Sequence, residues 1–288
     1  MNGGSGMENE DRLEKLGVAD WFVPQKVKDL IGSITEPERW LLNSTVNTYN
    51  ELPASAPDGT GIECEVCRNK GSVAVIDEDG GPGRMVIRPC TCRSRRMTAL
   101  RLKRCGMLER AKTCTFDSFR TENALQTRMK EMAQGWLDAE PEQWLAFCGQ
   151  SGAGKTHLCT AAFVQAVARR QIVGEYMLWG PAVREIKGGL YEDGPDLLDR
   201  YANAPLLYVD DLFKGRSDAP LSDTDLRLAF ELLDHRYNRD LPTILSTERT
   251  FPQLAAVDEA IAGRIRERCG GYIVNIAPGA EKNYRFRE

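Results

Sequence analysis

Eight consecutive residues constrain this chain more than any others: Gly149-Gln150-Ser151-Gly152-Ala153-Gly154-Lys155-Thr156, which fits G-x-x-x-x-G-K-[ST]. Such a loop works only between a strand and a helix. Its glycines let backbone N–H groups converge on phosphate oxygens, and the helix N-terminus adds partial positive charge. The flanks supply both elements. Gln143 to Cys148 reads as a buried strand, and His157 to Arg170 has helical spacing, with Leu158, Ala162, Val164, Val167 and Ala168 apolar. In that setting Lys155 reaches the β- and γ-phosphates of a nucleoside triphosphate, and the Thr156 hydroxyl ligates Mg²⁺. A glycine-rich turn with a chance lysine is the competing reading, and the strand and helix on either side argue against it.

Length and composition bound the rest. The chain has 288 residues, room for one ordinary domain and a smaller one. It is 42% hydrophobic, enough for a real core, at a mean hydropathy of −0.41. No stretch is long and apolar enough to span a bilayer, and the acidic N-terminus does not resemble a signal peptide. Met1 to Gly6 reads as an expression scar, since Met7 could equally begin the protein. Nine cysteines without an export signal point to a reducing compartment, the cytoplasm, where thiols hold metal or sit in cores. The net charge of −4 conceals an asymmetry: residues 84–113 hold ten Lys or Arg and one acid, Glu109.

Four regions follow. Residues 1–52 form a helical N-terminal region, amphipathic from residue 8, with Thr35 and Glu38 at capping-box spacing. Residues 53–61, rich in Pro, Ala, Gly and Asp, form a linker. Residues 62–106 combine a cysteine-bounded module with a basic connector, whose helical stretch reads from Ser94 to Arg110, and residues 107–288 form the nucleotide-binding domain. In that last region short apolar strands (Glu175 to Trp179, Leu206 to Val209, Thr243 to Ser246, Tyr272 to Ile276) alternate with helices (Glu122 to Asp138, a broken one from Pro181 to Ala202, Asp223 to Asn238, Glu259 to Cys269). That alternation predicts an α/β fold with a parallel sheet covered on both faces.

Several constellations carry chemistry. The strand ending Leu206 to Asp211 supplies the metal half of a phosphate-loop site. Asp210 would hold Mg²⁺ through its waters and Asp211 would act as general base on the attacking water, the competing reading being an acidic turn after a strand. The strand at Thr243 ends in Thr247 and Glu248, which are either sensors of the γ-phosphate or an ordinary surface turn. Cys64-x-x-Cys67 and Cys90-x-Cys92 bracket two plausible strands, Gly71 to Ile76 and Met85 to Ile87. A hairpin would bring all four thiolates around one Zn²⁺, with reduced free thiols as the alternative reading. Arg93, Arg95, Arg96, Arg101, Lys103 and Arg104 suit either a phosphate backbone or a solvated helix face. Arg264 and Arg268 share a helix face, ready to serve a neighbouring subunit or to pair with Glu259 and Glu267. His157 directly follows the phosphate loop and belongs to the nucleotide-binding stretch. Both it and His235 fit helical patterns and read as structural.

Taken in order, these motifs resemble one family. The phosphate loop with His157-Leu158, YVDDLFKG (Tyr208 to Gly215), HRYNRDLPTILSTE (His235 to Glu248) and GRIRERC (Gly263 to Cys269) are similar to the DnaC/DnaI-type replicative helicase loaders, which are AAA+ ATPases, and most of all to phage and prophage members. The likeness extends to the C-x-x-C…C-x-C module and to Thr115-Phe116-Asp117-Ser118-Phe119, covering residue 62 onward. It implies an AAA+ fold and an ATPase that self-associates into an oligomer or spiral. Such a protein binds a DnaB-type helicase and places it on single-stranded DNA in the bacterial cytoplasm. The resemblance makes Gly149 to Thr156 the nucleotide loop, Asp210 and Asp211 the Walker B pair, Arg264 and Arg268 trans-acting arginines with Arg268 the finger, and Arg285 the second sensor. Asp211 stands where many AAA+ proteins carry Glu, which implies slow hydrolysis, and Glu248 stands where the family often has Asn. No full helical lid fits after Ile276. Two alternatives are an IstB-like helper of a transposase, which usually lacks the cysteine module, and a zinc-containing adaptor that uses ATP only as a switch.

Overall fold

The computed structural model describes residues 36–77, 83–189, 195–214 and 221–279, and divides into two compact units at Met97/Thr98. The expected helix over residues 8–35, the Thr35 cap and Arg285 lie outside the described residues.

In the first unit, α1 (Glu36–Glu51) packs on a hairpin of β1 (Ser72–Asp77) and β2 (Arg84–Pro89). Asn50 fixes the helix to the strand: its amide donates to the Ala74 carbonyl at 2.9 Å and accepts from the Ala74 N–H at 2.8 Å. The hairpin register, Ser72 opposite Pro89 and Asp77 opposite Arg84, brings Cys64–Cys67 and Cys90–Cys92 to one end. The unit boundary falls within α2 (Arg93–Arg104).

The second unit continues with α3 (Leu108–Thr113), α4 (Ala124–Trp136), β3 (Leu145–Gly149), α5 (Lys155–Arg170), β4 (Gly174–Leu178), α6 (Trp179–Gly189) and α7 (Pro195–Ala202). It then runs through β5 (Leu206–Asp210), α8 (Asp223–Asn238), β6 (Thr243–Thr247), α9 (Phe251–Val257), α10 (Glu259–Cys269) and β7 (Ile273–Ile276). The basic connector thus forms two helices rather than one, broken at Gly106, whose φ of 71° ends the first. The short helix α9 was not foreseen. Residues 277–279, the only described ones after β7, carry no helix.

The five strands are parallel, in the order β4-β5-β6-β3-β7. Strand periodicity divides the core. Leu145, Phe147, Leu206, Tyr208, Ile244 and Val274 face α4 and α5, while Ala146, Cys148, Leu207, Val209 and Leu245 face the helices α6 to α10. Both faces are covered, so the strands read as continuous apolar runs, as expected of a doubly covered parallel sheet. Burying a Phe147 or Leu207 side chain completely stabilises the fold by about 1.5–3 kcal/mol each. The C-terminal ends of β3, β5 and β6 meet at one edge, which is where the glycine loop, the two aspartates and Thr247-Glu248 come together.

Candidate functional site

The phosphate loop leaves β3 at Gly149 and enters α5 at Lys155. Gly149, Gly152 and Gly154 have φ of 109°, 76° and 91°, a region costly for any side chain. At Gly149 a Cβ would stand 2.0 Å from the Ile276 carbonyl oxygen, so glycine is obligatory there. Gln150 is tied to the segment after β7. Its backbone N–H donates to the Ile276 carbonyl at 3.1 Å, and its side chain exchanges two bonds with Gly279, at 2.8 and 2.6 Å. Lys155 is 5% exposed, and its ammonium donates to the Gly149 and Gln150 carbonyls at 2.7 Å each. Burial lowers its pKa. The loop therefore curls around the cation that a triphosphate would contact.

Asp210 ends β5 and is buried. Its Oδ1 accepts from Thr156 at 3.1 Å and from Ser246 at 2.5 Å, and its Oδ2 accepts from Tyr176 at 3.0 Å and Arg110 at 3.5 Å. Thr156 and Asp210 are thus brought together as the sequence predicts. Two hard-oxygen donors in contact, one of them a carboxylate, suit Mg²⁺, which takes few protein ligands and keeps several waters.

Asp211 follows at φ 59°, held by its N–H bond to Ser246 at 3.0 Å. Its carboxylate pairs with Lys214 at 2.8 Å, and Lys214 also reaches Glu248 at 3.2 Å. Burial opposes ionisation of Glu248, but the Ser151 hydroxyl and the Lys214 ammonium outweigh it and hold that carboxyl below its usual range. Thr247 is buried and donates to the Leu212 carbonyl at 2.8 Å, so Glu248 is the one of the pair that reaches the pocket.

The phosphate loop with Lys155 and Thr156, together with Asp211, Lys214 and Glu248, lines a cavity of about 460 Å³, a size suited to a nucleotide. Ser118, Phe119 and Arg120 form another wall. His157 connects that wall to the loop: its Nε2 lies 2.8 Å from the Thr115 carbonyl and 3.3 Å from the Ser118 hydroxyl, and its ring meets Phe119 edge-on at 5.3 Å. His235 bonds Asn203 at 3.0 Å, away from the pocket lining. Sequence reasoning missed Arg110, Tyr176, Ser246, Lys214 and the 118–120 wall. Lys214 carried a usable signal, since it stands three residues after Asp211, within reach across a tight turn. Arg110 and Tyr176 carried none.

In the first unit the four cysteine sulfurs all lie within 4.8 Å of one another. Cys64 and Cys90 are 3.8 Å apart, and Cys67 and Cys92 are 3.5 Å apart. A Zn–S bond of about 2.3 Å sets tetrahedral sulfur separations near ~3.8 Å, whereas a disulfide needs about 2.05 Å. The set fits a tetrahedral zinc ion. The Cys67 backbone N–H brings the Cys64 thiol down to about 7, while burial pushes Cys92 up to about 12. Gly71 N–H and Arg96 Nε donate to Cys67 and Cys92 sulfurs at 3.3 and 3.4 Å, the kind of outer-shell bond that stabilises bound thiolate. Arg96 is 5% exposed and pairs with Asp58 at 2.5 Å. It therefore leaves the group of cations available to a phosphate backbone, because it is built into the cysteine site.

On α10, Arg264 pairs with Asp234 at 2.6 Å and lies over Phe230 and Tyr237, 4.7 and 5.6 Å from their centroids. Arg268 pairs with Asp240, donates to the Tyr237 carbonyl and lies 4.6 Å over the Tyr237 ring. Their acidic partners come from α8 and the turn after it, not from Glu259 or Glu267 on their own helix. Neither lines the phosphate pocket of its own chain.

Comparison with known proteins agrees with the fold and with an ATP-binding domain. Residues 83–277 fit the family model described as IstB-like ATP binding protein. The phage-like element PBSX protein XkdC of Bacillus subtilis is 30% identical over 248 residues, covering 82% of this chain and 90% of XkdC. The insertion sequence IS232 putative ATP-binding protein of Bacillus thuringiensis is 29% identical over 132 residues, covering 45% of this chain and 50% of that protein. The crystal structure of the DnaC helicase loader superposes with a TM-score of 0.50 at 24% identity, over 59% of this chain and 97% of that one, which shows the shared AAA+ fold. With two thirds of its length inside the family model and its phosphate loop, paired aspartates and parallel sheet in place, the chain belongs to the IstB-like ATP-binding proteins and is an AAA+ ATPase.

Proposed function

We propose that this ATPase loads a replicative DnaB-type helicase onto single-stranded DNA, working as an oligomer or spiral in a bacterial cytoplasm, whether phage-encoded or chromosomal. The placement of Arg264 and Arg268 carries the reading. They are ordered on α10 by acids and aromatics, off their own pocket, so that a neighbouring chain's site is where their charge can act. The fold shared with the DnaC helicase loader and the likeness to a phage-element protein support it. Among the described residues no helix is long and apolar enough to cross a membrane.

In this reading the loop from Gly149 to His157 holds ATP, Lys155 contacts the β- and γ-phosphates, and Thr156 and Asp210 hold Mg²⁺. The metal, when bound, neutralises charge on the phosphates. Asp211 takes a proton from the attacking water, Glu248 senses the γ-phosphate end while Thr247 anchors the strand tip beneath it, Arg285 serves as second sensor, and Arg268, backed by Arg264, stabilises charge from the next subunit. Cys64, Cys67, Cys90 and Cys92 hold zinc. Exposed cations of α2, Arg93, Arg95 and Arg104 among them, follow the DNA backbone.

A second reading, ATPase helper of a transposase, draws on the family description and on the insertion-sequence relative. The four-thiol module favours the loader. The deciding experiment mixes the purified full chain with the host's DnaB-type helicase, ATP and circular single-stranded DNA, and measures helicase retained on the DNA. Retention that needs ATP supports loading, and failure to associate with the helicase at all removes it.

A further inference from the structure

Asp210 carries a full set of partners. A carboxylate has about four acceptor positions, and four donors stand against this one: Thr156 and Ser246 at Oδ1, Tyr176 and Arg110 at Oδ2. Three of the four are fixed by the fold. Thr156 opens α5, Ser246 is wholly buried in β6, and Tyr176 sits in β4 in register with Tyr208, its ring 5.3 Å away. Arg110 differs in every respect. Its contact is the longest at 3.5 Å, its side chain is 45% exposed, and it comes from the six-residue helix α3 outside the sheet. It also has somewhere else to rest. The guanidinium donates to the Tyr176 hydroxyl at 2.8 Å and lies 5.2 Å over the Tyr176 ring.

A divalent ion taken up beside Thr156 and Asp210 keeps waters that need acceptors, and it brings two positive charges toward the guanidinium. Every acceptor position on Asp210 is taken, so one donor must leave, and the weakest and most exposed is Arg110. We propose that Arg110 is a placeholder cation: it neutralises Asp210 while the metal position is empty and withdraws when Mg²⁺–nucleotide binds, moving α3 with it. The chain leaving α3 is well placed to pass that movement on. The Thr115 carbonyl is bonded to His157, next to Thr156, and Ser118 and Phe119 line the nucleotide cavity. Nucleotide state would thus be read out at α3, on the side of the domain that leads back along the chain to the basic helix α2. The proposal rests on the Mg²⁺–nucleotide reading of the site.

The test titrates Mg²⁺ against binding of a fluorescent ATP analogue to the full chain. Arg110→Gln lowers the half-saturating Mg²⁺ concentration roughly two- to fivefold, the scale of a partly exposed ion pair. Arg110→Lys, which keeps the charge, stays closer to wild type. If Arg110 merely braces Asp210, its removal loosens the carboxylate and more Mg²⁺ is needed. That result, or no change, overturns the proposal. Where Arg110→Gln does not fold, hydrogen exchange in the wild type decides. Amides of residues 108–113 should exchange faster with Mg²⁺–nucleotide than with nucleotide in chelator, and equal rates overturn the proposal. A wild-type chain that binds nucleotide identically with and without Mg²⁺ removes the metal reading itself, a failure visible before any variant is made.

Discussion

Lys155 shows how much a single charge depends on its surroundings. An ammonium that is 5% exposed is unfavourable unless its protons are taken up, and here the Gly149 and Gln150 carbonyls take them. When phosphate arrives, the same ammonium exchanges neutral acceptors for anionic ones. Lys155→Ala should therefore abolish tight ATP binding while the chain stays folded, as read by nucleotide titration beside a melting curve. Asp211→Asn should bind ATP as well as wild type and lose turnover, because an amide is a poor base, and phosphate release measured separately from affinity checks it. Wild-type hydrolysis by either variant would mean that the site is wrongly assigned. Lys155, Thr156, Asp210 and Asp211 were legible because their chemistry is written in contiguous runs. Arg110, Tyr176 and Ser246 were not, because they meet at Asp210 only through the strand order β4-β5-β6 and the return of α3, which no local pattern encodes.

At the level of elements, the ends of helices were read better than their interruptions. Both α8 (Asp223–Asn238) and α10 (Glu259–Cys269) begin and end where the sequence places them, since each opens on a strong cap, Ser222 and Asp258. The helix α9 escaped because seven residues are too few to show a period, although Thr250, Pro252 and Gln253 form its start signal. The cap on α8 makes a pH prediction. Burial resists ionisation of Asp225, but the Ser222 hydroxyl and Lys187 outweigh it and hold its carboxyl below the ordinary value. A lowered folded value means stability that is present above the unfolded pKa and lost as pH falls through the folded one. Asp225→Ala should cost about 1 kcal/mol at pH 7, and the difference from wild type should shrink below about pH 4, measured by urea unfolding at both pH values. The cysteine module makes another prediction. The protein purified without chelator should carry one zinc per chain by metal analysis, and Cys90→Ser should lose it. Structural zinc contributes folding energy locally, so that variant should unfold its own unit and spare nucleotide binding. Metal-free wild-type protein would leave the four thiols as a reduced hairpin.

Over the whole molecule, alternation of strands and helices made the parallel sheet legible, whereas its order could not be read, because crossovers and not strand sequences set which neighbours pair. Quaternary chemistry is similarly distributed. If Arg268 completes a neighbour's pocket, Arg268→Ala should leave ATP binding nearly intact and slow hydrolysis by roughly 10³-fold or more. Mixing that variant with Lys155→Ala should restore part of the activity, since some interfaces then join an intact pocket to an intact arginine. An arginine that only pairs with Asp240 predicts a lower melting temperature and no rescue. The sheet order has a further consequence, for how the protein is made. The strand β3, the first of the five to be synthesised, lies between β6 and β7, the last two. Until residues 246 and 276 have been synthesised, Asp210 has no Ser246 and Gly149 has no Ile276 carbonyl beside it. The strand that carries the phosphate loop therefore precedes both of its sheet partners: β3 can pair with β6 only once residues 243–247 exist, and it is flanked on both sides only once residues 273–276 do.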